Sequence, residues 1–203
     1  MPTTRSSSAN SVAVAKADRI HQPRTWITLW LALSSILVMW DCGYMLLRPH
    51  SMRGGKFFAL WQPYELYGTI DKIYGVDAFT AKEGFPAAQS IMNIPETILN
   101  YLYVYIVLFS TSPHARAVAP VIGFTATVMT ASKTILYMLV EMSCGYCKVG
   151  HNDLYSLVVL FLIPNTPWIF VPTAIAISLG YEMAGNLKAA AGLPVSSNKV
   201  KRS

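Results

Sequence analysis

Charged residues are scarce in this sequence. Only 13% of its 203 residues are Asp, Glu, Lys or Arg, whereas 53% are hydrophobic; soluble domains carry about 25% charged residues. This composition argues against a chain whose main solvent is water. The formal charge of +6 does not indicate a nucleic-acid partner, because the basic residues are distributed over tails and connectors rather than collected on one segment.

Several chemical motifs are also missing. The chain has no glycine-rich phosphate loop, nucleophile elbow or zinc-helix motif. Of its three cysteines, Cys144 and Cys147 form a CxxC pair just before His151. Such a pair is a redox site, half a zinc site or a disulfide; with one His and no second pair, we favour a structural disulfide or free thiols. We therefore predict no metal and no cofactor.

Long apolar runs are what the sequence does contain. A helix crosses the hydrocarbon core with about 20 mostly apolar residues, and four such stretches are separated by polar connectors. They cover residues 26–47, 86–110, 119–143 and 154–181, approximately. The sequence thus predicts an all-α fold, a bundle of four transmembrane helices that forms one membrane domain over residues 26–183.

The two ends of the chain are polar and basic. We predict a disordered tail over residues 1–25 and a basic tail over residues 184–203. An even number of spans puts both tails on one side, and the positive-inside rule assigns that side to the cytosol. Lys199 and Lys201 resemble a dilysine retrieval signal, which predicts the endoplasmic reticulum membrane. Two alternatives stay open: a basic tail bound to anionic lipid, and a mitochondrial transit peptide at the start.

The connector over residues 48–85 is long and rich in aromatic residues with Arg and Lys between them. One interpretation is a segment lying at the membrane interface, where amphipathic rings are enriched. The other is a lid over the helix bundle.

Polar residues recur along the second span as a regular stripe. Gln89, Asn93, Glu96, Asn100 and Tyr103 follow one another at intervals of four, three, four and three. At 3.6 residues per turn they fall on one face. The stripe indicates either a polar cavity or a polar helix contact, since Asn and Gln also fasten helices together in membranes.

The first and third spans carry ionisable residues as well. Lys133, Tyr137 and Glu141 lie at i, i+4 and i+8. A lone ammonium in hydrocarbon is costly, so we expect Lys133 to pair with Glu96 or Asp41, or to lose its proton. Asp41 is near the end of the first span, where an acid reaching the interface and a functional carboxylate are equally reasonable interpretations.

Three prolines interrupt the fourth span, which carries Pro164, Asn165, Pro167, Trp168 and Pro172. Prolines in a helix free backbone carbonyls, so we expect this span to be kinked beside Asn165 and Trp168. The face of the Trp168 ring can stabilise a cation held near it.

These motifs together resemble the emopamil-binding protein superfamily, or EXPERA domain, whose membrane proteins include the sterol Δ8-Δ7 isomerase and the sigma-2 receptor. The resemblance covers approximately residues 26–183. The matches occur in the family's order: Trp40-Asp41-Cys-Gly-Tyr44, Glu96-Thr-Ile98, Leu136-Tyr137-Met-Leu-Val-Glu141, Gly150-His151 and Asn165-Thr-Pro-Trp168 followed by Pro172.

The resemblance implies an enzyme that isomerises a double bond in a sterol-like or terpenoid lipid. It implies Glu96 as the acid and Asp41 as its partner or the base, with Asn165 and Trp168 orienting and stabilising a carbocation. The remaining candidate ligand contacts are Tyr137, Gln89, Asn93, Asn100 and Lys133. The expected partners are the lipid and the bilayer, and a homodimer is left open.

Two departures from the family pattern favour an alternative. The isomerase has a histidine four residues before the first-span acid, where this chain has Leu37, and Lys133 adds a charge that opposes a bound cation. The alternative is a non-catalytic protein that binds, senses or escorts a sterol or other lipid. A third interpretation is a structural subunit whose polar groups only fasten helices.

Overall fold

A computed structural model describes residues 20–193, and over these residues the chain is helical without a β-strand. Four helices are long and apolar enough to cross a membrane. We number the helices α1 (Thr25–Leu46), α2 (Pro63–Ile70), α3 (Val76–Thr80), α4 (Gly84–Phe109), α5 (Pro113–Ser143) and α6 (Ser156–Ala190). The predicted all-α bundle of four transmembrane helices is confirmed, with α1, α4, α5 and α6 as the spans.

The ends of the spans differ from the predicted boundaries. Helix α5 begins at Pro113 rather than Ala119, because Pro113 suits a first helical turn and the Ser112 side chain caps it. Helix α6 continues past Tyr181 to Ala190, so the predicted tail of residues 184–203 begins inside a helix. The proposed retrieval lysines, Lys199 and Lys201, lie outside the described residues, as do residues 1–19.

The helices pack in chain order, α1 against α4, α4 against α5 and α5 against α6. One apolar cluster joins all four near the chain ends; its buried members are Ile27, Leu31, Tyr103, Ile106, Val107, Ala119, Ile175 and Leu179. Gly123 permits a close approach there, because an added Cβ would lie 2.9 Å from both Leu179 Cδ1 and Tyr103 Cδ2. Small residues at such contacts are typical of membrane helices.

The outer surfaces of the four long helices are apolar. Large side chains such as Leu33, Ile98 and Phe170 are more than half exposed, whereas Glu96 and Thr127 are buried. In water this distribution would leave large apolar patches exposed. It suits helices surrounded by lipid tails.

The connector between α1 and α4 covers one end of the bundle, and we call residues 48–83 the cap. The cap contains α2 and α3. Its Trp61 packs against α1 and donates from Nε1 to Trp40 O at 2.8 Å, while Trp40 Nε1 donates to Leu60 O at 3.1 Å. This position over the helices is the one that the lid interpretation expects.

The connector between α5 and α6, residues 144–155, contains a disulfide between Cys144 and Cys147, one of the two predicted alternatives. Hydrogen bonds join this connector to the cap: Lys72 N to Lys148 O at 3.2 Å, His151 Nε2 to Thr69 O at 2.7 Å, Asn152 Nδ2 to Ile70 O at 2.7 Å, and Lys148 Nζ to Glu83 Oε1. The cap is therefore held by α1 and by the connector of residues 144–155.

Helix α6 is irregular before Pro164 and again at Thr166, between Pro164 and Pro167. It starts with a π-helical segment over Ser156–Leu162, and a new helical segment starts at Pro167. The Asn165 side chain donates to Phe161 O at 2.7 Å, so an amide side chain uses a carbonyl of the irregular turn.

Candidate functional site

A cavity of about 500 Å³ lies between the four long helices and the cap. Cap residues such as Tyr64 and Tyr67 close one end, and all four long helices contribute to the wall. Eight of the nine predicted site residues line it: Asp41, Gln89, Asn93, Glu96, Lys133, Tyr137, Asn165 and Trp168. The first three residues of the α4 stripe and the proline-rich part of α6 therefore face the same space.

Glu96 and Lys133 form an ion pair deep in the bundle. Lys133 Nζ lies 2.8 Å from Glu96 Oε2, although the two atoms are not aligned as a hydrogen bond. The side chain of Lys133 is 14% exposed and that of Glu96 is 2% exposed. The same ammonium donates to Asn93 Oδ1, and Gln89 Nε2 donates to Lys133 O at 3.3 Å. The predicted pairing of Lys133 is confirmed, with Glu96 rather than Asp41 as its partner.

Asp41 lies at the other polar region of the cavity, beneath the cap. Its Oδ1 accepts a hydrogen bond from Tyr64 OH at 2.6 Å, and the Tyr64 ring stacks on Tyr44 at 4.2 Å between centroids. Burial, reinforced by the charge of Asp41, raises the pKa of Tyr64 far above its ordinary range. Tyr64 therefore stays a hydrogen-bond donor, and Asp41 is held inside the protein rather than at its lipid-facing surface.

Asp71 of the cap is a buried acid that the sequence analysis missed. Its Oδ2 accepts a hydrogen bond from Tyr137 OH, and its Oδ1 accepts from Ile73 N at 3.1 Å. Burial raises the pKa of Asp71 to about 7, although the Ile73 N–H opposes this shift; the charge of Glu141 adds to it. No spacing or span marks Asp71, because it lies in a connector and meets Tyr137 only through tertiary packing.

Asn165 and Trp168 of α6 contribute one amide and one large ring to the wall. Asn165 Nδ2 donates to Tyr67 OH at 3.0 Å, which ties α6 to the cap. The Trp168 ring meets Trp30 of α1 edge to face, with centroids 5.5 Å apart. The aromatic cap residues were noted as a group in the sequence, but their individual partners were not predictable.

Asn100 and Tyr103, the last two residues of the stripe, do not line the cavity. Asn100 Nδ2 donates to Ser35 Oγ at 3.1 Å, which fastens α4 to α1. Tyr103 OH contacts His21 Nε2 at 2.8 Å, and His21 Nδ1 lies 2.7 Å from Glu182. The candidate role of Asn100 in ligand contact thus gives way to the helix contact that was its alternative. His21, which falls in the predicted tail of residues 1–25, is fully buried.

The cavity can accommodate an apolar molecule that carries a polar group. Most of the side chains in its wall are apolar or aromatic, and its polar groups are concentrated around Glu96 and around Asp41. Leu37, Trp40 and Leu66 belong to the wall and are 38–61% exposed, so the cavity extends to the outside beside α1. Among the described residues, Glu141, Cys144 and Cys147 lie close enough together to be considered as metal ligands, and they are outside this cavity.

This geometry defines a multi-pass, all-α membrane protein with an intramembrane cavity that contains ionisable groups. None of the family models, curated proteins or solved structures compared with the chain matches it.

Proposed function

We propose that the cavity binds a sterol-like or terpenoid lipid and moves one of its double bonds by acid/base chemistry, as the resemblance to the EXPERA domain implies. The observation that carries the proposal is that two carboxyl groups, Asp41 and Glu96, and the Trp168 ring share one largely apolar cavity. Its volume falls within the range of about 300–1,000 Å³ typical of small-molecule sites.

The reaction requires one proton to be given and another to be taken. Glu96 transfers a proton to one carbon of the double bond, which leaves a carbocation on its neighbour, and Asp41 removes a proton from a different carbon. The lipid has the same atoms and electrons before and after the reaction, so the step requires no cofactor. The proton gained by Asp41 returns to Glu96 before the next turnover. The Trp168 face and the Asn165 carbonyl oxygen stabilise the cation.

The Lys133 ammonium restricts this chemistry, because a carboxylate paired with it holds no proton. In this proposal a hydroxyl or ketone oxygen of the lipid accepts a hydrogen bond from Lys133, and Lys133 gives one of its ammonium protons to Glu96, which leaves a neutral amine beside a protonated carboxyl group. Asn93 and Gln89, both beside Lys133, then contact the same oxygen. The lipid enters sideways from the bilayer, past Leu37 and Trp40.

The test is to express the wild type and Glu96→Gln in a sterol-isomerase-deficient host and to profile membrane lipids by mass spectrometry. We expect a double-bond isomer with the wild type only. Asp77→Asn is the matched control, since Asp77 is an exposed cap acid outside the cavity wall. Equal profiles for the wild type and Glu96→Gln would refute catalysis by Glu96.

A second candidate is a protein that binds, senses or escorts such a lipid without changing it. The Glu96–Lys133 pair favours this function, since it withdraws the acid from chemistry, and so does Leu37 in the wall. Crosslinking with a photoactivatable sterol separates the two candidates. Labelling that decreases in Trp168→Ala, together with unchanged lipid profiles, would identify a binder.

We also propose that the protein resides in the endoplasmic reticulum membrane with both termini in the cytosol, on the basis of Lys199 and Lys201. Replacement of both lysines by alanine should redistribute the protein to the cell surface. Unchanged reticular staining would count against a retrieval signal.

A further inference from the structure

The end of α5 brings together a carboxylate and two sulfur atoms that the proposed lipid site does not use. A carboxylate oxygen of Glu141 and the Sγ atoms of Cys144 and Cys147 all lie within 4.8 Å of one another. The two cysteines are exposed and joined by a disulfide, whereas Glu141 is only 3% exposed. The group is therefore open to solvent on its sulfur side and fixed on its carboxylate side.

Hydrogen bonds to one carboxylate oxygen orient Glu141, and its other carboxylate oxygen accepts none from the described residues. Oε2 accepts hydrogen bonds from the backbone N–H groups of Lys148 at 3.1 Å and Val149 at 3.2 Å. Oε1 is buried and has no hydrogen-bond partner in the described part of the chain. A buried carboxylate oxygen without a partner is costly, and it requires either a proton or a cation. The two N–H groups that bond its companion oxygen fix the carboxylate, as hydrogen-bond donors around a metal site orient a metal-bound carboxylate.

The CxxC turn is also arranged to support a thiolate. The Cys147 backbone N–H donates to Cys144 Sγ at 3.2 Å. A hydrogen bond to a sulfur favours its negative form, which is the form that binds metal. The left-handed backbone at Gly145, with φ of +71°, shapes the turn that returns Cys147 to Cys144.

We propose that reduction of the Cys144–Cys147 disulfide converts this group into a binding site for a divalent cation of the Zn²⁺ class. Two thiol molecules reduce the disulfide to two cysteine thiols and become a disulfide themselves. The cation then binds both sulfurs and Glu141 Oε1 and displaces the two thiol protons. Zinc–sulfur and zinc–oxygen bonds of about 2.3 and 2.1 Å place tetrahedral ligands about 3.5 Å apart, a spacing that the observed limit of 4.8 Å allows. Water completes the fourth position.

The disulfide and the metal are alternatives that close the same turn. Both fix the connector of residues 144–155, whose Lys148, His151 and Asn152 bond to the cap over the lipid cavity. A site with two thiolates and one carboxylate matches the ligand preference of zinc better than that of Mg²⁺ or Ca²⁺, which prefer oxygen ligands alone.

The test uses the full chain in detergent, carrying an affinity tag without histidine, reduced with a phosphine and freed of metal. Titration with Co²⁺ should give one equivalent with the near-ultraviolet absorption of thiolate-to-cobalt charge transfer, and Zn²⁺ should abolish it. Cys144→Ser and Cys147→Ser should lose the band. Glu141→Gln should weaken binding at least about tenfold, while Asp153→Asn, on the same connector, should bind as the wild type does.

The oxidised protein should not bind Co²⁺, because its sulfurs are already joined. Equal affinities for the wild type and Glu141→Gln, or the lack of a charge-transfer band, would overturn the proposal. Glu141→Asp keeps the charge with a shorter side chain and should fall between the wild type and Glu141→Gln. Two variants, Glu141→Gln and Glu141→Asp, therefore test the carboxylate independently.

Discussion

At the scale of single residues, Lys133 is the partner of a buried acid, Glu96. Glu96 is nearly inaccessible and its carboxylate is neutralised by the Lys133 ammonium, with Asn93 as a second acceptor. Removing one partner of a buried pair leaves the other charge unpaired, which costs far more than the pair contributes. The two residues are therefore expected to be coupled strongly in stability.

Lys133→Met should lower the free energy of unfolding by about 3–5 kcal/mol. Lys133→Met combined with Glu96→Gln should recover most of this loss, since no unpaired charge is left. Denaturant unfolding of the detergent-solubilised protein measures both, with Lys72→Met, an exposed cap lysine, as the control. Additive effects of the two substitutions would contradict the coupling.

Asp71 introduces a pH dependence in the opposite direction from that of an ordinary salt-bridged acid. Because its pKa rises from 3.8 unfolded to about 7 folded, the folded state binds the proton more tightly. Its contribution to stability is complete below about pH 4 and is lost as pH rises through 7. The groups that act on its carboxyl are Tyr137, Glu141, Asp41 and Lys148.

The wild type should therefore lose about 2–4 kcal/mol more stability between pH 4.5 and pH 8 than Asp71→Asn, whose amide does not titrate. Parallel denaturation at the two pH values measures the difference, and subtracting one protein from the other cancels the other carboxylates. The same pH slope in both proteins would mean that Asp71 keeps an ordinary pKa.

At the scale of elements, the cap is attached to a connector that is itself organised by one side chain. Glu141 Oε2 holds the amides of Lys148 and Val149, and the carbonyl of Lys148 accepts from Lys72 in the cap. Val149 also packs with Ile70 in a buried cluster. Position and mobility of the cap should therefore depend on a residue of α5.

Glu141→Ala in the oxidised, metal-free protein should speed amide hydrogen exchange at Lys72, Lys148 and Val149 by about fivefold, since each lost hydrogen bond is worth about 1 kcal/mol. Mass spectrometry of the solubilised protein measures it. Asp153→Ala is the control, because Asp153 Oδ1 accepts from Ser156 N and should change exchange only there. Unchanged exchange at Lys72 would show that the cap does not depend on Glu141 through the connector.

At the scale of the whole molecule, an even number of spans determines which segments of the chain lie on the same side of the membrane. The cap and the connector of residues 144–155 bond to each other, so they lie at the same end of the bundle. His21 and Glu182 contact one another at the other end. The fold therefore places the two ends of its described chain on one side and the disulfide on the opposite side.

Glycosylation acceptor sites inserted after Ser8 and after Pro194 should behave alike, and a site inserted at Asp77 in the cap should behave oppositely. We expect modification only at the cap, since the basic termini favour the cytosol. A shift in mobility that endoglycosidase reverses measures each site. Modification at one terminus but not the other would contradict four spans.

Much of the candidate site was predictable from spacing alone. The stripe of α4 and the series through Lys133 and Tyr137 of α5 lie on inward faces because a 3.6-residue period is fixed within one helix. The pairing of Lys133 followed from the cost of an isolated charge in hydrocarbon. The spacing argument failed for Asn100, because a stripe shows which residues share a helix face but not where along that face the cavity ends.

The four spans, the all-α class and the polar faces follow from the order of the residues alone, because the bilayer requires long apolar helices and the helical period orders their side chains. Three contacts emerge only from the packed fold: Tyr64 bonds Asp41, Tyr137 bonds buried Asp71, and His21 joins Tyr103 to Glu182. These contacts join residues far apart in the chain. No local period predicts them. The first two form when the cap folds over the bundle, and the third forms where the two ends of the described chain meet.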